Sequence, residues 1–150
     1  MPRERRPTGH DGGAPSRLFV DSGAWIALFS SRDGRHADAD RIFRQAVVRG
    51  LPLITTNLVL AEVHRWLLFH GGIRPAAAAL TRVEASPRVT IEFATREHHR
   101  NARQWIDRLA DQRISYTDAV SFAVMQATRC TTALAFDHDF VLAGFSLWRG

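Results

Sequence analysis

Leu18-Phe19-Val20-Asp21-Ser22-Gly23-Ala24-Trp25-Ile26-Ala27-Leu28 is the stretch that decides the architecture. Leu18–Val20 is apolar and short, as a buried strand should be, and an acid follows it directly. Ala24–Phe29 then suits a helical turn or two. A strand that passes into a helix at an acid is the opening of a parallel βα unit.

The remainder of the chain repeats that alternation. His36–Arg49 sets Ala39, Ile42, Phe43, Ala46 and Val47 on one helical face, and Gly50 is placed for its C-cap. Leu51–Thr55 reads as a second strand. Leu58–Phe69 is an apolar helix ended by Gly71-Gly72, and Ala76–Ala85 is another with Pro75 in its first turn. Arg88–Phe93 is a third strand. Thr95–Ala110 is amphipathic through Ala102, Trp105, Ile106 and Leu109. A helix over Tyr116–Thr128, a strand over Thr131–Phe136, a short helix over Asp137–Ala143 and a last strand over Phe145–Trp148 complete the series. The pattern predicts a three-layer α/β/α sandwich around a central, mainly parallel sheet. Residues 1–16 hold Pro2, Pro7, Pro15, Gly9, Gly12 and Gly13 with few apolar groups, and are expected to be a disordered tail before one domain over 17–150.

Composition narrows the class. A chain of 150 residues that is 45% hydrophobic suits a single core. No apolar run approaches the ~20 residues of a membrane span, and none follows the basic start as a signal peptide requires. The single cysteine, Cys130, rules out an internal disulfide and fits a reducing cytoplasm. The net charge is +5, and every one of the 20 basic side chains is Arg. An Arg-rich surface suits a polyanionic partner, although a coding bias towards Arg would leave the same mark.

Four acids stand out because apolar sequence surrounds each: Asp21, Glu62, Asp118 and Asp137. Carboxylates are rarely buried unless paired or bound to a metal. Each has a bland explanation. Asp21 and Asp137 would serve as N-caps, and Ser115-Tyr116-Thr117-Asp118 reads as a capping box. Glu62 would pair with Arg65 along its helix. Taken together, the three Asp fall at strand ends and helix starts, where open α/β sheets bind ligands, while Glu62 lies mid-helix, where capping does not explain it. A carboxylate cluster holding Mg²⁺ or Mn²⁺ explains the whole set, since hard cations prefer oxygen ligands. Asp139 is either a further ligand or a first-turn acid. His36, His64, His70, His98, His99 and His138 show no metal-ligand spacing.

Four segments carry a family resemblance. Val20-Asp21-Ser22-Gly23-Ala24-Trp25-Ile26-Ala27-Leu28, Val59-Leu60-Ala61-Glu62-Val63, Ser115-Tyr116-Thr117-Asp118-Ala119 and Ala135-Phe136-Asp137-His138-Asp139-Phe140 resemble, in order and rough spacing, the PIN-domain ribonucleases. More closely, they resemble the VapC toxins of bacterial toxin–antitoxin modules. The likeness implies a PIN-like nuclease domain over 17–150. It implies an acidic quartet of Asp21, Glu62, Asp118 and Asp137 around Mg²⁺. Thr117 would orient the third acid, and Ser22 would stand beside the first, near substrate. Gly23 departs from the Ser or Thr usual after that serine. Such proteins are expected to be cytoplasmic homodimers that cut RNA and are neutralised by a cognate antitoxin.

The chemistry expected is metal-assisted hydrolysis of an RNA phosphodiester. Arg32, Arg35 and Arg65 are candidates for steering RNA, against the alternative of ordinary surface arginines. Two competing classes remain. One is a non-catalytic RNA- or partner-binding module on the same fold. The other is a phosphatase or phosphoacceptor domain using Asp21 as nucleophile. The latter chemistry calls for a Lys beside the phosphate, and the chain has none.

Overall fold

The computed structural model describes residues 13–150. The expectation for residues 1–16 therefore falls mostly outside the described residues. Five strands form one sheet in the order β3-β2-β1-β4-β5, and every neighbouring pair is parallel. They are β1 (Leu18–Val20), β2 (Leu53–Thr56), β3 (Val89–Glu92), β4 (Thr132–Leu134) and β5 (Ser146–Leu147). The helices are α1 (Ser22–Phe29), α2 (His36–Val48), α3 (Asn57–Gly71), α4 (Ile73–Ala85), α5 (Arg96–Arg108), α6 (Tyr116–Ala127) and α7 (Asp139–Leu142).

The strand order sets the layers. From β1 the chain steps outward through β2 to β3, then returns across the sheet to β4 and β5. Right-handed crossovers place helices on one face for the outward steps and on the other for the return. Thus α1–α4 cover one face and α5–α7 the other, with α1 against α2 and α3, and α5 against α6. The direction reverses between β1 and β4, so a crevice opens at their carboxyl ends. Asp21 follows β1 there, and Asp137 follows β4.

Local chemistry fixes the elements in place. Gly50 ends α2 with φ +66°; its N–H reaches the Val47 carbonyl, and Leu51 N–H reaches Ala46. That paired bonding is the glycine-dependent helix stop expected there. Thr56 caps α3 by accepting from Val59 N–H at 3.1 Å. Helix α6 is enclosed almost all round, with Asp118 through Met125 buried. Its Phe122 meets Phe140 edge-on at 5.1 Å and also packs on Trp105 and Phe145. Emptying such a site, as in Phe122→Ala, costs about 3–5 kcal/mol.

One boundary differs in a way that matters. β4 stops at Leu134 rather than Phe136: Leu134 pairs with Val20, the last residue of β1, and the ladder to β5 ends one residue earlier, at Ala133. Beyond the ladder, Trp148 N–H takes the Ala133 carbonyl and the Arg149 side chain takes that of Ala135. Asp137 therefore lies in a loop, not at the strand's last position. The short helix after it begins at Asp139, whose N–H donates to Asp137 Oδ1 at 2.9 Å. Among the described residues no helix is long and apolar enough to cross a membrane.

Candidate metal centre

Asp21, Asp118 and Asp137 each present a carboxylate oxygen such that the three atoms lie within 4.8 Å of one another. Each arrives by a different route. Asp21 is set by β1, where its N–H donates to the Leu134 carbonyl at 3.2 Å and links the two strands flanking the crevice. Behind it, Trp25 Nε1 donates to Thr55 Oγ1, which in turn donates to the Val20 carbonyl at 3.1 Å. This buried relay fastens the end of β1 to β2. Asp118 enters on the first turn of α6, where its N–H donates to the Ser115 hydroxyl at 3.0 Å. Asp137 comes from the loop after β4.

The capping explanation for Asp21 does not hold. It occupies the N-cap position of α1, yet its side chain makes no capping hydrogen bond. Its Oδ1 is buried without any partner, although the residue is only 4% exposed. Burial chiefly, then the charges of Asp118, Glu62 and Asp137, pushes its carboxyl up to about 8, against some relief from Ser22 N–H. Asp118, at 9% exposed, is pushed up to about 7, first by burial and then by Asp137, Glu62 and Asp139, while Ser115 lowers it. A buried acceptor with no donor, inside a cluster of mutually repelling carboxylates, is the environment a divalent cation satisfies. The donor set is all oxygen and suits a hard ion. The residues fit the group.

Glu62 stands outside the trio but near enough to act electrostatically on Asp21 and Asp118. It is half-buried on α3. The pairing with Arg65 is not formed; that guanidinium lies over the Phe69 ring instead, 5.2 Å from its centre. Asp139 is raised by burial, then by the charge of Asp137 and a hydrogen bond with it. It starts α7 and is not one of the three converging acids.

Ser22 opens α1 and Thr117 precedes Asp118, but among the described residues neither hydroxyl makes a hydrogen bond. The Thr117 carbonyl accepts from Ser121 Oγ at 2.9 Å. The side chain that meets Asp118 is that of Ser115. Arg32 is exposed in the loop after α1. Arg35, at the start of α2, lies over Phe136 with its guanidinium 4.9 Å from the ring centre. Arg149 shares that ring, and a lone arginine at the end of a sequence offers nothing by which to single it out.

This arrangement has relatives. The chain matches the PIN domain family over residues 18–145 and belongs to it. It is 36% identical over 128 residues to the 23S rRNA-specific endonuclease VapC20 of Mycobacterium tuberculosis, covering 85% of this chain and 95% of that protein. Ribonuclease VapC13 of the same organism is 32% identical, with 82% and 92% covered. The crystal structure of VapC20, described as a sarcin–ricin loop cleaving toxin, superposes with a TM-score of 0.81 at 35% identity, over 89% of this chain and 99% of that one. FitAcB from Neisseria gonorrhoeae shares the fold at 11% identity and a TM-score of 0.63, over 87% and 96% of the two chains.

Proposed function

We propose that this chain is a Mg²⁺-dependent endoribonuclease, with Mn²⁺ as a substitute, acting as the toxin of a toxin–antitoxin pair. The observation that carries this is the unpartnered, buried Oδ1 of Asp21 inside the three-carboxylate cluster. Asp21, Asp118 and Asp137 would hold the cation, with Glu62 beside them. A bound divalent ion would supply neutralising charge and polarise the phosphoryl and leaving oxygens.

The chain's own groups have separate tasks. Asp21 and Asp118, both raised by burial and by neighbouring acids, would have to give up their protons to hold a cation. Glu62, outside the trio, is free to hold the attacking water and accept its proton. Asp137 accepts from Asp139 N–H through Oδ1, a bond that anchors its carboxylate in the loop after β4. Ser115 holds Asp118 in register. Ser22 and Thr117 flank the acids, and Arg32, Arg35 and Arg65 steer RNA.

VapC20 supplies the substrate class by likeness. We infer 23S rRNA, at the sarcin–ricin loop, as the target, in a cytoplasmic homodimer restrained by a cognate antitoxin. An exposed RNA loop offers unstacked bases and an accessible backbone, which a duplex does not. The test is to incubate purified protein and Mg²⁺ with ribosomes and map new 5′ ends. One dominant cut in that loop is expected, absent with chelator. Cuts scattered over all RNAs would overturn the assignment of target, and no cuts the assignment of activity.

A further inference from the structure

Two arginines meet on one ring at the edge of the acid cluster. The Arg35 and Arg149 guanidiniums lie 4.9 Å and 5.5 Å from the centre of Phe136. Phe136 directly precedes Asp137. Arg149 Nη1 also donates to the Ala135 carbonyl, at 2.6 Å, just past the end of β4. Its charge therefore stands at the same sheet edge as the carboxylates. Arg49, Arg65, Arg82 and Arg108 each lie over a separate ring, whereas Phe136 carries two cations.

From this juxtaposition we propose that Arg35 and Arg149, braced on Phe136, form a clamp for the RNA phosphate on the Asp137 side of the scissile bond. The proposal rests on the ribonuclease function above. Each cation is drawn to the ring face, but the two repel one another, and an anion held between them would turn that repulsion into attraction. Among the described residues no carboxylate forms an ion pair with either guanidinium; the ion pairs there are Arg41 with Asp38 and Arg44 with Asp40. Both arginines are exposed.

Their placement does not depend on RNA. The Arg149 carbonyl accepts from Arg41 Nη1 at 3.1 Å, and the neighbouring Trp148 is buried. Arg35 is fixed where its N–H donates to Asp33 Oδ1 at 2.8 Å. Arg149 spends one of its donors on Ala135, and the Arg35 side chain makes no hydrogen bond among the described residues. The remaining donors form planar forks matched to phosphate.

The test uses full-length Asp118→Asn protein with Mg²⁺, in which RNA should bind without being cut. Fluorescence anisotropy across a salt series would compare a synthetic sarcin–ricin-loop hairpin with a random RNA of equal length. Adding Arg35→Gln or Arg149→Gln should weaken both RNAs alike, roughly 10-fold, and cut the slope of log affinity on log salt by about 1. Arg149→Lys should restore the slope but not the full affinity. Unchanged slopes, or a loss confined to the hairpin, would overturn the clamp. Should Arg149→Gln unfold, Arg35→Gln decides alone, since its side chain makes no structural hydrogen bond. Failure of wild-type protein to cut RNA would count against the ribonuclease function itself, whereas the slopes judge the clamp either way.

Discussion

Asp21 and Asp118, delivered by the first strand and the sixth helix, bring carboxylate oxygens within 4.8 Å of each other in a nearly dry setting. Burial disfavours both charges and each carboxylate repels the other, with only partial relief from Ser22 N–H and Ser115. Burial first, and the neighbouring acids second, hold both carboxyls far above the usual carboxylate value of 3.8, at about 8 and about 7. An acid raised on folding binds its proton more tightly folded than unfolded. Stability of the metal-free protein therefore falls as pH climbs from about 3.8 towards about 8. Thermal melts in chelator should show Tm dropping steadily from pH 6 to about pH 8. A flat or rising profile would contradict the buried-acid cluster.

Metal should reverse that trend. A cation that binds only the folded state at about 100 times its dissociation constant adds roughly 2.7 kcal/mol. Because protons must leave Asp21 and Asp118 first, the gain in Tm from Mg²⁺ or Mn²⁺ should be larger at pH 8 than at about pH 6. Differential scanning fluorimetry at both values would check this, and an equal gain at both would speak against displaced protons.

Asp21→Asn separates stability from function. The amide keeps the shape and removes the trapped charge, so the metal-free variant should melt at least ~2 °C higher than wild type at pH 8. RNA cleavage should nevertheless fall by at least ~100-fold, because outer contacts to a metal are worth roughly 10–100-fold and Asp21 would be a direct ligand. A variant both stabler and fully active would remove Asp21 from the site.

Ser115 and Thr117 should differ. Ser115→Ala loses the cap of α6 and the hydroxyl beside Asp118, at a cost of about 1 kcal/mol. Thr117→Ala breaks no hydrogen bond among the described residues and should leave stability within about 0.5 kcal/mol. Chemical denaturation resolves the pair, and equal losses would refute the cap assignment.

Gly23 sits in the first turn of α1, and a Cβ built there meets nothing within 4 Å. Gly23→Ala should stabilise by about 0.5–1 kcal/mol through lost freedom of the unfolded chain. Destabilisation would mean that the space above Gly23 is occupied in solution.

Much of this was legible in the residues because local and global signals agree. Apolar Leu18–Val20, the helical spacing of Ala39, Ile42, Phe43 and Ala46, and the stop at Gly50 each answer to local chemistry, so the strand–helix alternation and the parallel sheet follow. Asp21 was conspicuous because an acid in apolar sequence is costly wherever it lands. What escaped depends on contacts between distant segments. The early end of β4 at Leu134 follows from the end of its neighbour β1 at Val20, and the loop position of Asp137 follows from that. The Trp25–Thr55–Val20 relay joins two strands, and no spacing rule reaches across them. Arg149 meets Phe136 only because the chain's last strand lies beside β4. Glu62 remains a neighbour of the trio because α3 sets its distance, which periodicity does not report.

Direct binding of Mn²⁺, followed by electron paramagnetic resonance at pH 8 in wild type and in Asp21→Asn, bears on the carboxylate cluster without any assay of RNA. Saturable binding to wild type, weakened by at least ~10-fold in the variant, is expected if these acids hold the cation. Equal binding by both proteins, or none by wild type at millimolar Mn²⁺, would contradict it.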